Sequence, residues 1–499
     1  MKLPDEGIIR ISLGVKLGQG FARIKNTRPL KLANRFSGKS PAEVAVLVPL
    51  VFSICRAAQA AACAEAIEAA TGAVASPRTK AVRALSVLSE TAREQALQVL
   101  HAWPGCMKAP EPAMAVASVR RLLSFDRELG RTLHNVNGID GEKLAGLIAE
   151  LSAILAEAVF GETVDDWLSR AEALEMGRWA RRNETFAHTL FEYLIQTGAA
   201  EAGAAEIAPL PATDRSRLLA ILLSEGADAF IAQPEWNGCP RETTPLGRLA
   251  GHTLVRSVRE RYGPGLLARL AALLIELAEI PGKMRALAHE IEGASREERG
   301  PLRQGGTGIG IAEAARGRLV HAVEISGGVV RRYRILAPTE WNFHPKGATA
   351  KGLARIAMAA PVQREALARL FITAADPCVG YELRLPMHEM SICMSVVEAL
   401  KEQAKVHSYS RVRSVCLEIG PLSGVEPESL LFCFDAVAQG TLAEGAKLEI
   451  VNTPVVAWCM TCSKNVSPED RFGGCPECGG FQLQITGGNE LKIKSMEVD

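Results

Sequence analysis

The chain has 499 residues, 48% of them hydrophobic and 23% charged, a balance that excludes wholesale disorder and supplies a sizeable core. That length accommodates about two to four domains. Lys and Arg (57) nearly cancel Asp and Glu (56), so the net charge of +1 argues against a polyanion-binding protein.

In chain order, the alternating segments 8–15 and 21–24, split by Gly18 and Gly20, predict a short hairpin. The opening residues carry Asp5 and Glu6 and no apolar stretch, unlike a secretory signal. The apolar run from Val44 to Cys55 is broken by Pro49 and Ser53 and falls short of the ~20 residues of a membrane span. An Ala-rich helix is expected over 41–70, and helical patterns continue to about residue 300, broken by Pro104, Pro110, Pro112, Pro209 and Pro211. Segment 266–280 carries Arg269 and Glu276 and reads as a buried amphipathic helix. Residues 223–252 read as a loop and 291–310 as a mobile stretch. Gly305, Gly306, Gly308 and Gly310 lack the preceding strand and the phosphate-binding Lys of a nucleotide loop. Strands 317–326 and 329–336 follow, joined by Gly327-Gly328.

Beyond residue 386 the character changes. Residues 387–499 hold 9 Lys and Arg against 15 Asp and Glu, and 7 of the 12 Cys, which points to two units of separate origin: 1–386 and 387–499. A helix over 391–404, a strand over 411–419, a helix opened by Glu426-Pro427 and ending near Ala438, and strands over 447–455 and 490–498 describe a small α/β domain. The expected compartment is the cytoplasm, with no membrane contact, where cysteines serve as metal ligands or buried thiols before disulfides.

Between the last two strands, Cys459-Met-Thr-Cys462 and Cys475-Pro-Glu-Cys478 form two Cys-x-x-Cys pairs separated by twelve residues. The two-residue gap brings both thiolates of a knuckle to one tetrahedral ion, so the insert 459–480 predicts a structural zinc site resembling a zinc ribbon. Its only basic residues are Lys464 and Arg471 and its only aromatic is Phe472, against the clustered cations and aromatics of a nucleic-acid groove.

Met387-His388-Glu389-Met390-Ser391-Ile392, followed by this element order and the paired knuckles, resembles the HypA/HybF family of hydrogenase nickel-incorporation proteins over all of 387–499. The resemblance implies a metallochaperone that hands transient Ni(II) to a maturing hydrogenase beside a HypB-like GTPase. It implies nickel held by the His388 imidazole and by backbone nitrogen around His388 and Glu389. In the family the Met is the N-terminus and its amine is a ligand, whereas Met387 follows Pro386 and offers a peptide amide, whose proton is far more weakly acidic. Nickel affinity is expected to fall unless Cys393, His407 or a separate translation start at Met387 compensates.

The first unit resembles nickel–iron hydrogenase large subunits at Glu6-Gly7-Ile8-Ile9-Arg10-Ile11, at Ser53-Ile54-Cys55-Arg56-Ala57-Ala58, across 313–345 including Pro338-Thr339-Glu340-Trp341-Asn342, and at Asp376-Pro377-Cys378. The family holds its metal pair with two Cys-x-x-Cys motifs. Here Ala58 and Tyr381 replace the second, bridging cysteines, Arg384 replaces the final His, and Ser12 replaces a proton-transfer glutamate. The surviving Cys55, Cys378, Arg316 and Asp376 resemble the HupK family of maturation proteins. That resemblance implies a scaffold able to hold a transient iron or nickel, or an iron–cyanide–carbonyl fragment, in a pocket with Arg316 and Asp376. The resulting expectation is a multidomain α+β fusion: a mainly helical large-subunit-like scaffold followed by a HypA-like nickel domain with a zinc insert. It has no turnover of its own, and its partners are the hydrogenase large-subunit precursor, the GTPase and other maturation factors. The alternatives are a zinc-stabilised interaction scaffold without nickel transfer and a residual hydrogenase-type metalloenzyme.

Overall fold

The structure, a computed structural model, describes the chain except residues 1–6, 17–18, 110–112, 296, 298–299, 301–302, 408, 424, 426, 469–473 and 481–482. It divides into two compact units: Met1–Ser12 with Lys16–Leu383, and Leu13–Val15 with Arg384–Asp499.

In the first unit, β1 (Ile9–Lys16) and β2 (Gln19–Asn26) form the expected hairpin. Helix α1 (Pro41–Val51) starts on a capping box: the Ser40 hydroxyl accepts the Glu43 N–H, the Glu43 carboxylate accepts the Ser40 N–H, and Pro41 occupies the first turn, where no N–H is missed. A short turn, Ser53–Cys55, leads into α2 (Arg56–Thr71), and α3 (Pro77–Leu97) follows behind a Ser76 cap. The helix Leu266–Gly293 is buried on nearly all sides through Met284, which makes it a core helix rather than an amphipathic one. The segment 223–252 is more ordered than expected. It contains the helices Ala227–Ala232 and Pro245–Arg248, and ion pairs Glu242–Arg269 and Arg248–Glu276 tie it to that core helix.

An antiparallel sheet, β3 (Gly306–Ala314), β4 (Gly317–Ser326) and β5 (Val329–Leu336), lies against α2. The expectation of a mobile stretch to residue 310 fails at β3, because the glycines there serve packing. A Cβ on Gly310 would sit 1.9 Å from the Ala62 carbonyl oxygen, and one on Gly308 2.0 Å from that of Ala66. Alternate glycines thus give β3 a bare face on which the Ala-rich helix rests backbone to backbone. At the β4–β5 turn, Gly327 (φ 61°) and Gly328 (φ 74°) take the positive dihedrals of the tight hairpin turn. β6 (Tyr381–Arg384) joins β1, giving the order β2-β1-β6.

In the second unit the helix begins at Pro386 and runs to His407, so Met387, His388 and Glu389 lie in its first turn rather than ahead of it. β7 (Val412–Ile419) and β8 (Lys447–Asn452) are parallel and joined through the helix Pro427–Ala438, while β12 (Leu491–Val498) runs antiparallel on the other side of β7. Val396, Leu400, Leu430 and Phe434 of the two helices close over Val415 and Leu417. The single strand expected over 447–455 ends at Asn452, two residues before Pro454, which has no N–H to give a ladder. The insert builds its own antiparallel sheet from β9 (Val456–Cys459), β10 (Lys464–Val466) and β11 (Leu483–Gly487), in the order β10-β9-β11. Among the described residues no single helix is long and apolar enough to cross a membrane.

Gly310→Ala is expected to destabilise the first unit by about 2 kcal/mol or more, the cost of overpacking a rigid backbone contact, and to lower its calorimetric midpoint by several degrees. An unchanged midpoint contradicts the backbone contact.

Candidate metal centre

The two knuckles are built alike. In one, the Ser463 N–H reaches the Cys459 carbonyl (2.8 Å) and Ser463 is left-handed. In the other, the Gly479 N–H reaches the Cys475 carbonyl (2.8 Å) and Gly479 is left-handed. The ligand sulfurs of Cys459, Cys462, Cys475 and Cys478 all lie within 4.8 Å of one another. The Cys459–Cys478 and Cys462–Cys475 separations are both 3.8 Å. Four sulfurs at ~2.3 Å from a tetrahedral ion stand ~3.8 Å apart, so the cluster has the dimensions of a zinc–thiolate site. The Cys462 N–H, 3.4 Å from the Cys459 sulfur, brings that thiol down to about 7, while Cys462, hydrogen-bonded to the Cys478 sulfur, is pushed up to about 12. Four neighbouring thiolates repel, and a divalent cation reconciles them. The four thiols fit zinc, which would supply cross-linking and no open coordination position.

At the opening of the helix Pro386–His407, the side chains of Met387 and His388 lie outside the described residues. The backbone places the Met387 and His388 N–H groups at the helix N-terminus, where no intrahelical carbonyl accepts them. Glu389 is buried near Cys393 and Cys433. Burial first, then these neighbours, push Cys393 up to about 12. Neither proposed compensating ligand serves. Cys393 turns into the core toward the Leu430 carbonyl (3.5 Å). His407 closes the far end of the helix, about 28 Å along the axis from His388 at 1.5 Å per residue.

In the first unit Cys55, at the entrance to α2, and Cys378 line one cavity of about 130 Å³. Cys378 is held by Thr339, whose hydroxyl donates to the sulfur (3.0 Å) and accepts the Cys378 N–H (3.2 Å). Burial, then Cys378, push the Cys55 thiol up to about 12. Arg316, in the β3–β4 turn, pairs with Glu94 (2.9 Å) and Asp376 (3.3 Å). Asp376 is left-handed (φ 47°) at the end of the helix Pro361–Ala375, and burial pushes it up to about 6 against the pull of Arg316. Glu90 accepts the N–H groups of Ala57 (2.7 Å) and Ala58 (3.2 Å) at the start of α2, and burial pushes it up to about 7.

Sequence reasoning missed Glu90 and Glu94, whose roles depend on where α3 packs. It also missed Arg28, Gln59 and Glu340, all on the cavity wall. Arg28 donates to Glu340 (2.5 Å), whose other oxygen accepts the Ala337 N–H (3.0 Å). Glu340 lay inside a quoted segment and Arg28 carried no local signal. His321 and His344 are buried structural residues: His321 bonds the Tyr333 hydroxyl (2.7 Å) and His344 accepts the Lys346 N–H (3.1 Å).

Residues 387–498 match the family model described as hydrogenase/urease nickel incorporation, metallochaperone, HypA. Over 113 residues, 23% of this chain and the whole of each relative, identity is 54% to hydrogenase maturation factor HypA 2 of Bradyrhizobium diazoefficiens and 52% to HypA of Azotobacter vinelandii. The chain belongs to the HypA family. Ahead of its HypA unit, residues 265–380 match the nickel-dependent hydrogenase model. The reduced Ni-Fe-Se hydrogenase of Desulfovibrio vulgaris Hildenborough is 16% identical, with a TM-score of 0.52, over 73% of this chain and 94% of its own. An NAD+-reducing [NiFe]-hydrogenase is 15% identical, with a TM-score of 0.51, over 73% and 94%. The chain is thus a HypA unit fused to a unit with the hydrogenase large-subunit fold.

Cys475→Ser is expected to reduce bound zinc from about one ion per chain to near zero and to unfold the insert, because a structural zinc site and its fold form together. Elemental analysis and near-ultraviolet circular dichroism read the two effects. Glu90 and Asp376 titrate above their ordinary values in the folded protein. The stability they contribute is therefore full below the unfolded carboxylate range and is lost as pH rises through about 6 to 7. The calorimetric midpoint of the first unit should fall between pH 6 and pH 8 and recover on return.

Proposed function

We propose that the chain is a cytoplasmic hydrogenase maturation factor. Its HypA unit carries Ni(II) toward the large-subunit precursor of a nickel–iron hydrogenase, and its large-subunit-like unit is an assembly scaffold with no turnover of its own. The observation that carries this reading is the pairing of a complete HypA unit with a large-subunit fold, in which the motif resemblance sets Ala58 and Tyr381 against the enzymes' bridging cysteines. Bimetallic chemistry needs ligands for both ions, and this unit retains Cys55 and Cys378 alone.

On this reading nickel is cargo, held by the His388 imidazole and by the first-turn amide nitrogens, with Glu389 and Met387 at the same helix end. A cation at the positive end of a helix is unfavourable until those amides lose their protons. Imidazole and deprotonated nitrogen suit Ni(II). The zinc knuckle stabilises the fold. A HypB-like GTPase and further maturation factors are the expected partners, and Cys55 with Cys378 is the proposed resting place of an iron–cyanide–carbonyl fragment. Fusion raises the effective concentration of nickel at the scaffold without a new contact.

The test is nickel titration of the zinc-loaded full chain and of a fragment starting at Met387 with a free amine. The fragment spans the full length of its HypA relatives. It should bind at least about tenfold tighter, a gap of ~1.4 kcal/mol. Affinity of the full chain should rise with pH as amide protons leave, and His388→Ala should abolish binding in both. Absence of nickel binding in both proteins leaves a zinc-stabilised interaction protein and sinks the proposal.

A further inference from the structure

We infer that the outer edge of β12 pairs with the same edge of a second copy of the chain, joining two HypA units into one continuous sheet. β12 ends the order β12-β7-β8, so among the described residues no strand covers its outer side. Six of its eight residues are exposed. An edge of that length, about 27 Å at ~3.4 Å per residue, presents a row of free backbone N–H and C=O groups to an extended segment.

The residues of the strand decide which segment fits. Leu-Lys-Ile-Lys-Ser-Met-Glu-Val, residues 491–498, is complementary to its own reverse. About a twofold axis between Lys494 and Ser495, Leu491 meets Val498 of the second copy, Lys492 meets its Glu497 and Ile493 meets its Met496. Symmetry makes each of these contacts twice. A slip of one residue in either direction sets Leu491 or Ile493 against Glu497. In a regular strand this register is forbidden, because opposed residues must share a face and residues an odd number apart do not. The bulge between Ile493 and Ser495 removes the conflict. With it, Leu491, Ile493, Met496 and Val498 all stand opposite core residues of β7, while Lys492 and Glu497 stand opposite Glu418 and Ser414 on the other face.

Edge lysines ordinarily discourage pairing with other strands. Here Glu497 supplies the matching charge, and only a reversed copy brings it opposite Lys492, which remains 62% exposed beside its in-chain partner Glu418. The other free edge of the sheet, β8, lacks this property: reversed on itself, it sets Glu449 against Ile450. Leu491 is 39% and Val498 40% exposed, and the pairing covers both. It also closes the mouth of an apolar groove that Ile392, Val396 and Ala399 of the helix Pro386–His407 form with Leu491 and Ile493. A strip one strand wide is smaller than the ~800 Å² per partner of a standard interface, so the dimer is expected to be reversible and concentration-dependent.

The experiment is sedimentation equilibrium of the zinc-loaded, reduced full chain from micromolar to submillimolar concentration, which should show a monomer–dimer equilibrium. Lys492→Glu and Glu497→Lys, each alone, put like charges across the axis and should weaken the dimer at least about tenfold. Mixed in equal amounts, the two variants pair opposite charges at both positions and should associate as the wild-type chain does. In the wild-type chain, amide deuterium uptake over 491–498 should fall as concentration rises, while uptake over 447–452 stays constant. A wild-type chain that is monomeric at every concentration overturns the inference. So do single variants that dimerise like the wild type, and a mixture that fails to associate although both variants melt normally. If either variant melts early, the exchange measurement decides, and uptake over 491–498 that ignores concentration overturns the inference.

Discussion

The first unit depends on one contact, the seating of α2 on the glycine face of β3. Because Gly306, Gly308 and Gly310 put no side chains on that face, the helix lies at backbone distance, and its entrance is fixed against the strand's far end, where Ala312 and Ala314 pack on Ala58. Cys55 precedes the first turn of α2 and Arg316 occupies the turn after β3, so the same contact positions a thiol and a cation of the candidate site. Glu90, capping the start of α2 from α3, braces the arrangement from behind.

The two cysteine sites show opposite solutions to one electrostatic problem. In the knuckle, four sulfurs crowd within a few ångströms, and a dication removes their mutual repulsion. In the cavity, two thiols are buried beside guanidinium and carboxylate groups already paired with one another, Arg28 with Glu340 and Arg316 with Asp376. The first environment calls for a cation to balance it, whereas in the second the charges beside the thiols already balance one another.

Much of this was legible in the sequence because it is local. Cys-x-x-Cys spacing, the Gly327-Gly328 turn and the Pro427 helix start are rules of a few residues. The seam near 386 showed as a change in charge and cysteine content. What was not legible is long-range. The glycines of β3 read as a loop because their partner, α2, is some 250 residues earlier. Arg28 and Glu340 pair across 312 positions, and Gln59 becomes notable only once a cavity surrounds it. His407 looked available as a ligand until the helix was seen to run unbroken from Pro386.

That unbroken helix also bears on timing. With Met387 inside the chain, the nitrogens at the helix end are amides that must surrender protons to hold an ion and regain them to release it. Among related complexes, affinity differences reside mostly in dissociation rates. On the proposed reading, the fused chain therefore shortens the residence time of its cargo and couples each departure to local proton supply. It is a courier suited to frequent brief deliveries rather than to storage.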